Sequence, residues 1–175
     1  DWPGCYGQIT PHHATDEINA ALQANPDGRV SHAKAWKEMT HRYVAGTLGL
    51  VILGIFITAW RQRKQTQYGM GLPLALLVVV VFQAALGMWT VTQLLKPLVV
   101  TAHLLGGMTT LAILVWLWRR ERAVPHRAYF APVDHIRTLA SIGLLLVIVQ
   151  IALGGWVSAN YAALACSDFP LCQYA

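Results

Sequence analysis

Four long apolar runs constrain the fold of this chain more than any other feature of its sequence. Each has roughly the 20 residues that an α-helix needs to cross a bilayer, and a helix satisfies every backbone N–H and C=O within the span itself. The runs extend from Trp36 to Trp60, Gly69 to Val91, Leu98 to Trp118 and Thr138 to Asn160. The sequence therefore predicts an all-α, polytopic transmembrane helix bundle with four spans in this chain.

The composition agrees with a membrane bundle and excludes a soluble protein. Charged residues make up 12% of the chain and hydrophobic residues 55%, whereas about 25% of residues are charged in ordinary soluble domains. The polar stretches between the runs are too short for a separate soluble domain. We expect one integral membrane bundle.

Two short loops carry most of the net charge of +5 and predict the orientation of the bundle. They are Arg61-Gln62-Arg63-Lys64 and Arg119-Arg120-Glu121-Arg122, the second followed by Arg127 and Arg137. Short loops rich in Lys and Arg stay in the cytoplasm. The N-terminal stretch, the loop at 92–97 and the C-terminal tail are therefore predicted outside. Because these arginines act as topology signals, we expect no nucleic acid as a partner.

Residues 1–35 are predicted to form an outer loop with a helical middle. Thr15 is a capping residue followed by spaced apolar positions up to Leu22. Asn25-Pro26-Asp27-Gly28 is typical of a turn, and a second helix is expected to start near Ser31 and to continue into the first span. The helical middle is either an amphipathic helix on the membrane surface or a loop without a role, and the sequence leaves both open.

The chain repeats itself in two places. The stretch Gln83 to Val91 resembles Gln150 to Ser158, and Asp1-Trp2-Pro3-Gly4-Cys5 resembles Asp168-Phe169-Pro170-Leu171-Cys172. Four spans separate the two copies of the second motif, so we expect the parent protein to consist of two pseudosymmetric four-helix halves.

The repeat divides the chain. Residues 36–137 are then three transmembrane helices of the N-terminal half, and 138–175 are the first helix and the outer cysteine loop of the second half. A first helix before residue 1 and further helices after residue 175 are expected.

Two histidines lie near the outer ends of separate spans. His41 is five residues after Trp36, and His103 is six after Pro97, which places each about 7–9 Å inside. The first and third spans run in the same direction, so the two helices are parallel. An imidazole in a span is costly and usually functional, and two at matched depth suit the axial ligands of one heme iron. Interfacial histidines bonded to backbone or headgroups are the alternative.

Two charged residues flank His41. Glu38 precedes it by three residues and shares its helix face, so the carboxylate could orient the imidazole or transfer a proton. The alternative is a solvated carboxylate near a helix N-terminus. Arg42 could pair with a heme propionate or extend to the lipid headgroups.

All three cysteines fall on the predicted outer side, where disulfides persist. Cys166 and Cys172 flank a proline-containing loop, and we favour a structural disulfide between them over a redox-active dithiol. Cys5 is expected to pair with a cysteine upstream of this chain.

Taken together these motifs resemble the heme A synthase family over nearly the whole chain. The resemblance is carried by Asp1-Trp2-Pro3-Gly4-Cys5, Glu38-Met39-Thr40-His41-Arg42-Tyr43, the stretch Lys96 to Leu104, and Gln150 through Cys172. It implies eight helices in two halves and the oxidation of heme O to heme A, in which a ring methyl becomes a formyl group. It also implies that His41 and His103 bind the iron of the substrate heme and that Glu38 is the functionally important glutamate.

The resemblance further implies a b-type heme in the C-terminal half and a disulfide in the cysteine loop. Heme O synthase and an electron donor are the implied partners, with membrane lipid around the helices and a role in cytochrome oxidase assembly. The implied location is a bacterial inner membrane, with 1–35 and 160–175 on the periplasmic side. Whether the protein is a homo-oligomer is left open.

Two other functions stay open. A heme b bundle could pass electrons without changing the heme, in which case only heme b would be bound. A membrane dithiol oxidoreductase would depend on Cys166 and Cys172 and not on His41.

Overall fold

The computed structural model describes residues 2, 4–25, 31–64, 69–122 and 134–162. Within them the chain forms five helices: α1 (Thr15–Ala24), α2 (His32–Arg61), α3 (Gly71–Thr92), α4 (Pro97–Arg122) and α5 (Asp134–Ala159). Helices α2 to α5 are long and apolar enough to cross a membrane. The prediction of an all-α, multi-pass membrane protein is confirmed, and each predicted run lies on its own helix.

Helix α2 begins four residues before the apolar run does. Ser31 caps its N-terminus, because the Ser31 Oγ accepts a hydrogen bond from the Lys34 N–H at 3.3 Å. His41 is therefore about 14 Å along α2 from the first residue, whereas His103 is about 9 Å along α4 from Pro97. The prediction that His41 and His103 lie at the same depth measures the position of His41 from Trp36. It therefore depends on where the bilayer begins along α2, and it stays a prediction.

The predicted helix in the N-terminal stretch is present as α1. Ile18 is fully buried on it, and Asn19 Oδ1 lies 2.9 Å from His32 Nε2 at the start of α2. The segment therefore has packing of its own and is tied to the first residue of α2.

The connection before α4 uses an unusual backbone. Leu94 and Leu95 have positive φ angles of 53° and 60°, a left-handed conformation that costs a non-glycine residue on the order of 1–3 kcal/mol. Pro97 follows as the first residue of α4, where its fixed φ suits a helix start and its missing N–H costs nothing. The Lys96 carbonyl accepts bonds from Val99 and Val100 at 3.0 and 3.1 Å, which closes the first turn.

The chain divides into two compact units, Asp1–Thr92 and Gln93–Ala175. In the first unit α2 packs on α3, and in the second α4 packs on α5. Burial is sparse, since no more than 11% of any apolar span is buried within the protein. Most of the apolar helix surface is therefore left for lipid or for further protein, as expected where lateral packing lacks a hydrophobic driving force.

Helices α4 and α5 pack closely at Gly155, the one buried residue of α5. A Cβ added there would lie 3.0 Å from Leu104 Cδ2 and 3.5 Å from Thr101 Cγ2 and Oγ1. Small residues at such crossings let membrane helices come close. The first copy of the repeat has Met88 where the second has Gly155, so the two copies differ at the position that this crossing requires. Thr101 and Leu104 lie on either side of His103 along α4, so the crossing fixes the helix turn that carries His103.

We predict that Gly155→Val destabilises the protein by about 1–3 kcal/mol, because its added methyl groups must overlap Leu104 and Thr101. Gly154→Val is the matched control, since a Cβ at Gly154 meets no atom within 4 Å. Denaturant unfolding of the detergent-purified variants gives the comparison. Equal losses of stability in both variants would show that the crossing at Gly155 is not tight.

Candidate functional site

Glu38 and Arg42 form an ion pair on the turn of α2 that carries His41. The Arg42 Nη2 donates to Glu38 Oε1 at 2.5 Å, one helical turn apart. Glu38 is 53% exposed and Arg42 only 18%, so the pair contributes little to stability on its own. Its effect is to orient the carboxylate beside His41. The structure brings together three of the four residues predicted to handle heme.

Arg42 also reaches a distant part of the chain. Its Nη1 donates to the Gly4 carbonyl at 2.9 Å and lies 3.7 Å from the Met39 sulfur. The next residue, Tyr43, donates from its Oη to the Ile9 carbonyl at 2.5 Å. The N-terminal stretch is therefore anchored on α2 beside His41. The sequence analysis missed both anchors, because it considered heme and lipid as the partners of Arg42.

The anchored stretch is a tight turn that we call the Cys5 hairpin, residues 4–9. Cys5 and Gln8 exchange two backbone hydrogen bonds of 2.9 Å. Tyr6 and Gly7, between them, have φ angles of 50° and 78°, which is the pattern of a two-residue hairpin with left-handed central residues. A Cβ on Gly4 would lie 2.5 Å from the Gln8 carbonyl oxygen, so only glycine fits there.

A cavity of about 470 Å³ lies between the Cys5 hairpin and α2. Its size falls within the roughly 300–1,000 Å³ of small-molecule sites. Apolar and aromatic side chains supply most of its wall. The lining consists of Trp2, Gly4, Gly7, Gln8, Ile9, Met39 and Tyr43.

His103 lies in the other unit, on α4. It is half-buried, in contrast to the exposed His41, and its Nδ1 atom is shielded from solvent. Each histidine is therefore placed within its own unit, His41 beside the Cys5 hairpin and His103 at the crossing of α4 and α5. Their joint binding of one heme stays a prediction.

The cysteine predictions stay untested. Cys5 is half-buried and forms no disulfide among the described residues, and its predicted partner would precede the chain. Cys166 and Cys172 lie outside the described residues.

Among the residues that the structure does describe, no three His, Cys, Asp or Glu side chains come close enough to hold a bare metal ion, so the ligand candidates are the two separate histidines.

Comparison with known proteins gives a match along the entire chain. The COX15-CtaA family model, described as cytochrome oxidase assembly protein, matches residues 1–175. No solved structure matches significantly.

Three relatives named heme A synthase illustrate the similarity. The Shewanella oneidensis protein is 44% identical over 173 residues, which cover 99% of this chain and 52% of that protein. The Shouchella clausii protein is 27% identical, with 98% and 52% covered, and the Sphingopyxis alaskensis protein is 34% identical, with 77% and 39% covered. The chain spans about half the length of the first two relatives.

We predict that Gly4→Ala opens the Cys5 hairpin, because the new methyl group collides with a backbone oxygen that cannot move without breaking the Cys5–Gln8 pairing. Hydrogen exchange measured by mass spectrometry should show faster exchange of the Cys5 and Gln8 amides. Gly46→Ala, in open space on α2, should leave these amides unchanged. Unaltered exchange in Gly4→Ala would mean that the hairpin is not held as described.

Proposed function

Because the chain belongs to the COX15-CtaA family of cytochrome oxidase assembly proteins, we propose that the full-length protein is a heme A synthase, a membrane oxidoreductase that converts heme O into heme A. The observation that carries the proposal is the 44% identity to the Shewanella oneidensis heme A synthase over 99% of this chain. That range includes Glu38, His41, Arg42 and His103.

The residues fit a heme as substrate. His41 and His103 supply two imidazoles on separate apolar helices, and imidazole nitrogen is a common axial ligand of heme iron. The shielded Nδ1 of His103 suits a ring held in one orientation, which an iron ligand requires. We assign the two imidazoles as ligands of the heme O iron. The Arg42 guanidinium is assigned to a heme propionate, which it would bind in addition to its partners within the protein.

Glu38 is the residue that we assign to proton transfer. In the last step of the route through a hydroxylated methyl, a geminal diol loses water to give the aldehyde: one hydroxyl gives up its proton, the other leaves as water, and no electrons are transferred. A carboxylate near that carbon can relay the proton. Arg42 holds one carboxylate oxygen at 2.5 Å, which leaves the other oxygen, Oε2, to act on the substrate. Half-exposure of Glu38 gives protons a path to water.

The remaining parts of the proposal concern the rest of the protein. We propose eight helices in two pseudosymmetric halves, with a b-type heme in the C-terminal half that supplies electron transfer. The partners are heme O synthase and an electron donor, and the location is a bacterial inner membrane with 1–35 and 160–175 on the periplasmic side. The duplicated motifs in this chain and its half-length match to the relatives support this arrangement.

We expect His41→Ala and His103→Ala in the full-length protein each to lower the bound heme O plus heme A by at least about tenfold, since loss of an iron ligand should cost no less than loss of its supporting contacts. Pyridine-hemochrome analysis of the purified variants measures both hemes. His135→Ala, an exposed residue in the first turn of α5, is the control. Unchanged heme O and heme A in both variants would reject the ligand assignment, and heme b as the sole pigment would favour the electron-transfer alternative.

Glu38→Gln should distinguish the binding of heme O from its conversion to heme A. The amide keeps the shape of the side chain but cannot accept the proton, so we expect heme O to stay bound while its conversion to heme A falls about 10²–10⁴-fold. The ratio of heme A to heme O in the purified protein measures this effect, with Glu17→Gln on α1 as control. A normal ratio in Glu38→Gln would remove Glu38 from the chemistry.

A further inference from the structure

We propose that Arg42 is a positioning residue that links the Cys5 hairpin to the Glu38 carboxylate, so that hairpin and carboxylate are held as one rigid body with Tyr43 as a second anchor. The importance of Glu38 rests on the proposed function. The mechanical link rests on the contacts alone.

One planar group of Arg42 binds both Gly4 and Glu38. Nη1 donates to the Gly4 carbonyl at 2.9 Å and Nη2 donates to Glu38 Oε1 at 2.5 Å. The two terminal nitrogens of a guanidinium are in a fixed fork, so a shift of the carbonyl must reorient the group that holds the carboxylate. Because Arg42 is only 18% exposed, water competes weakly for these bonds.

The bond to Gly4 sets the backbone of Cys5 directly. The Gly4 carbonyl and the Cys5 N–H belong to the same peptide group. Its oxygen accepts from Arg42, and its N–H donates to the Gln8 carbonyl at 2.9 Å. Hydrogen bonds at both ends of one peptide group polarise and strengthen each other. Arg42 therefore holds the peptide plane from which the hairpin starts.

Tyr43 holds the opposite end of the same hairpin. Its Oη donates to the Ile9 carbonyl at 2.5 Å, so the anchors secure residues 4 and 9 while Cys5 and the turn lie between them. An isolated two-stranded hairpin is at best marginally stable in water, and this one has a single pair of residues in register. The two anchors on α2 therefore supply most of what keeps it closed.

Hydrogen exchange of segment 4–9 in the full-length protein tests the link without reference to heme. Arg42→Gln removes a hydrogen bond from a charged donor, so amide exchange in the hairpin should accelerate by about tenfold or more. Tyr43→Phe removes a neutral hydrogen bond, so exchange should accelerate by about two- to tenfold. Arg42→Lys keeps the charge but not the fork, so it should exchange faster than the parent. Arg63→Gln, two residues past the C-terminal end of α2, should match the parent.

The coupling to Glu38 has its own readout. If Arg42 joins the two partners, Glu38→Ala must loosen the hairpin as well, by about two- to fivefold, because coupling between sites is reciprocal. Unchanged exchange in Arg42→Gln and Arg42→Lys overturns the proposal. So does loss of bound heme in Arg42→Gln with normal hairpin exchange, since Arg42 would then serve a propionate alone. Normal exchange in Glu38→Ala overturns the coupling.

The heme measurements remain separate. Faster hairpin exchange in Arg42→Gln and Glu38→Ala supports the link even if His41→Ala and His103→Ala keep their heme, an outcome that would reject only the proposed function.

Discussion

The need to satisfy polar groups within each apolar helix underlies the whole structure. Backbone groups in a span cannot rely on water, and several hydroxyls of the spans are satisfied within their own helix in the same way. Thr47, Thr58 and Thr110 each donate to the carbonyl four residues earlier, at 2.8–2.9 Å. Each helix is thereby complete in itself and has few polar groups left for its neighbours. Specific contacts become rare, and the few that exist decide where functional side chains lie.

Several of those rare contacts lie beside His41 and His103. On α2, Arg42 and Tyr43 bind the Cys5 hairpin next to His41. On α4, Thr101 and Leu104 meet Gly155 on either side of His103. One histidine is thus positioned by hydrogen bonds to a loop and the other by close helix packing. Both arrangements hold a helix turn that carries an imidazole.

Family membership and local geometry support the function in different ways. The match along all 175 residues assigns the chain to a family of cytochrome oxidase assembly proteins, and the named relatives point to heme A synthesis. The geometry adds that the Glu38 carboxylate is not an isolated group. Its carboxylate is held by Arg42, which also holds the hairpin, so a change in the loop is expected to reach the carboxylate.

The amino-acid sequence by itself determined the helices and the family. Long apolar runs allow no other backbone than helix within lipid, and the Glu38 to Tyr43 motif carried the resemblance that the family match confirmed. The start of α2 was predicted near Ser31, ahead of the apolar run, and the helix begins at His32 with Ser31 as its cap. Only the tertiary structure decided the partners of Arg42 and Tyr43. Their acceptors are backbone carbonyls 38 and 34 residues away, and every residue has such a carbonyl, so no residue type in the sequence marks which one is bound.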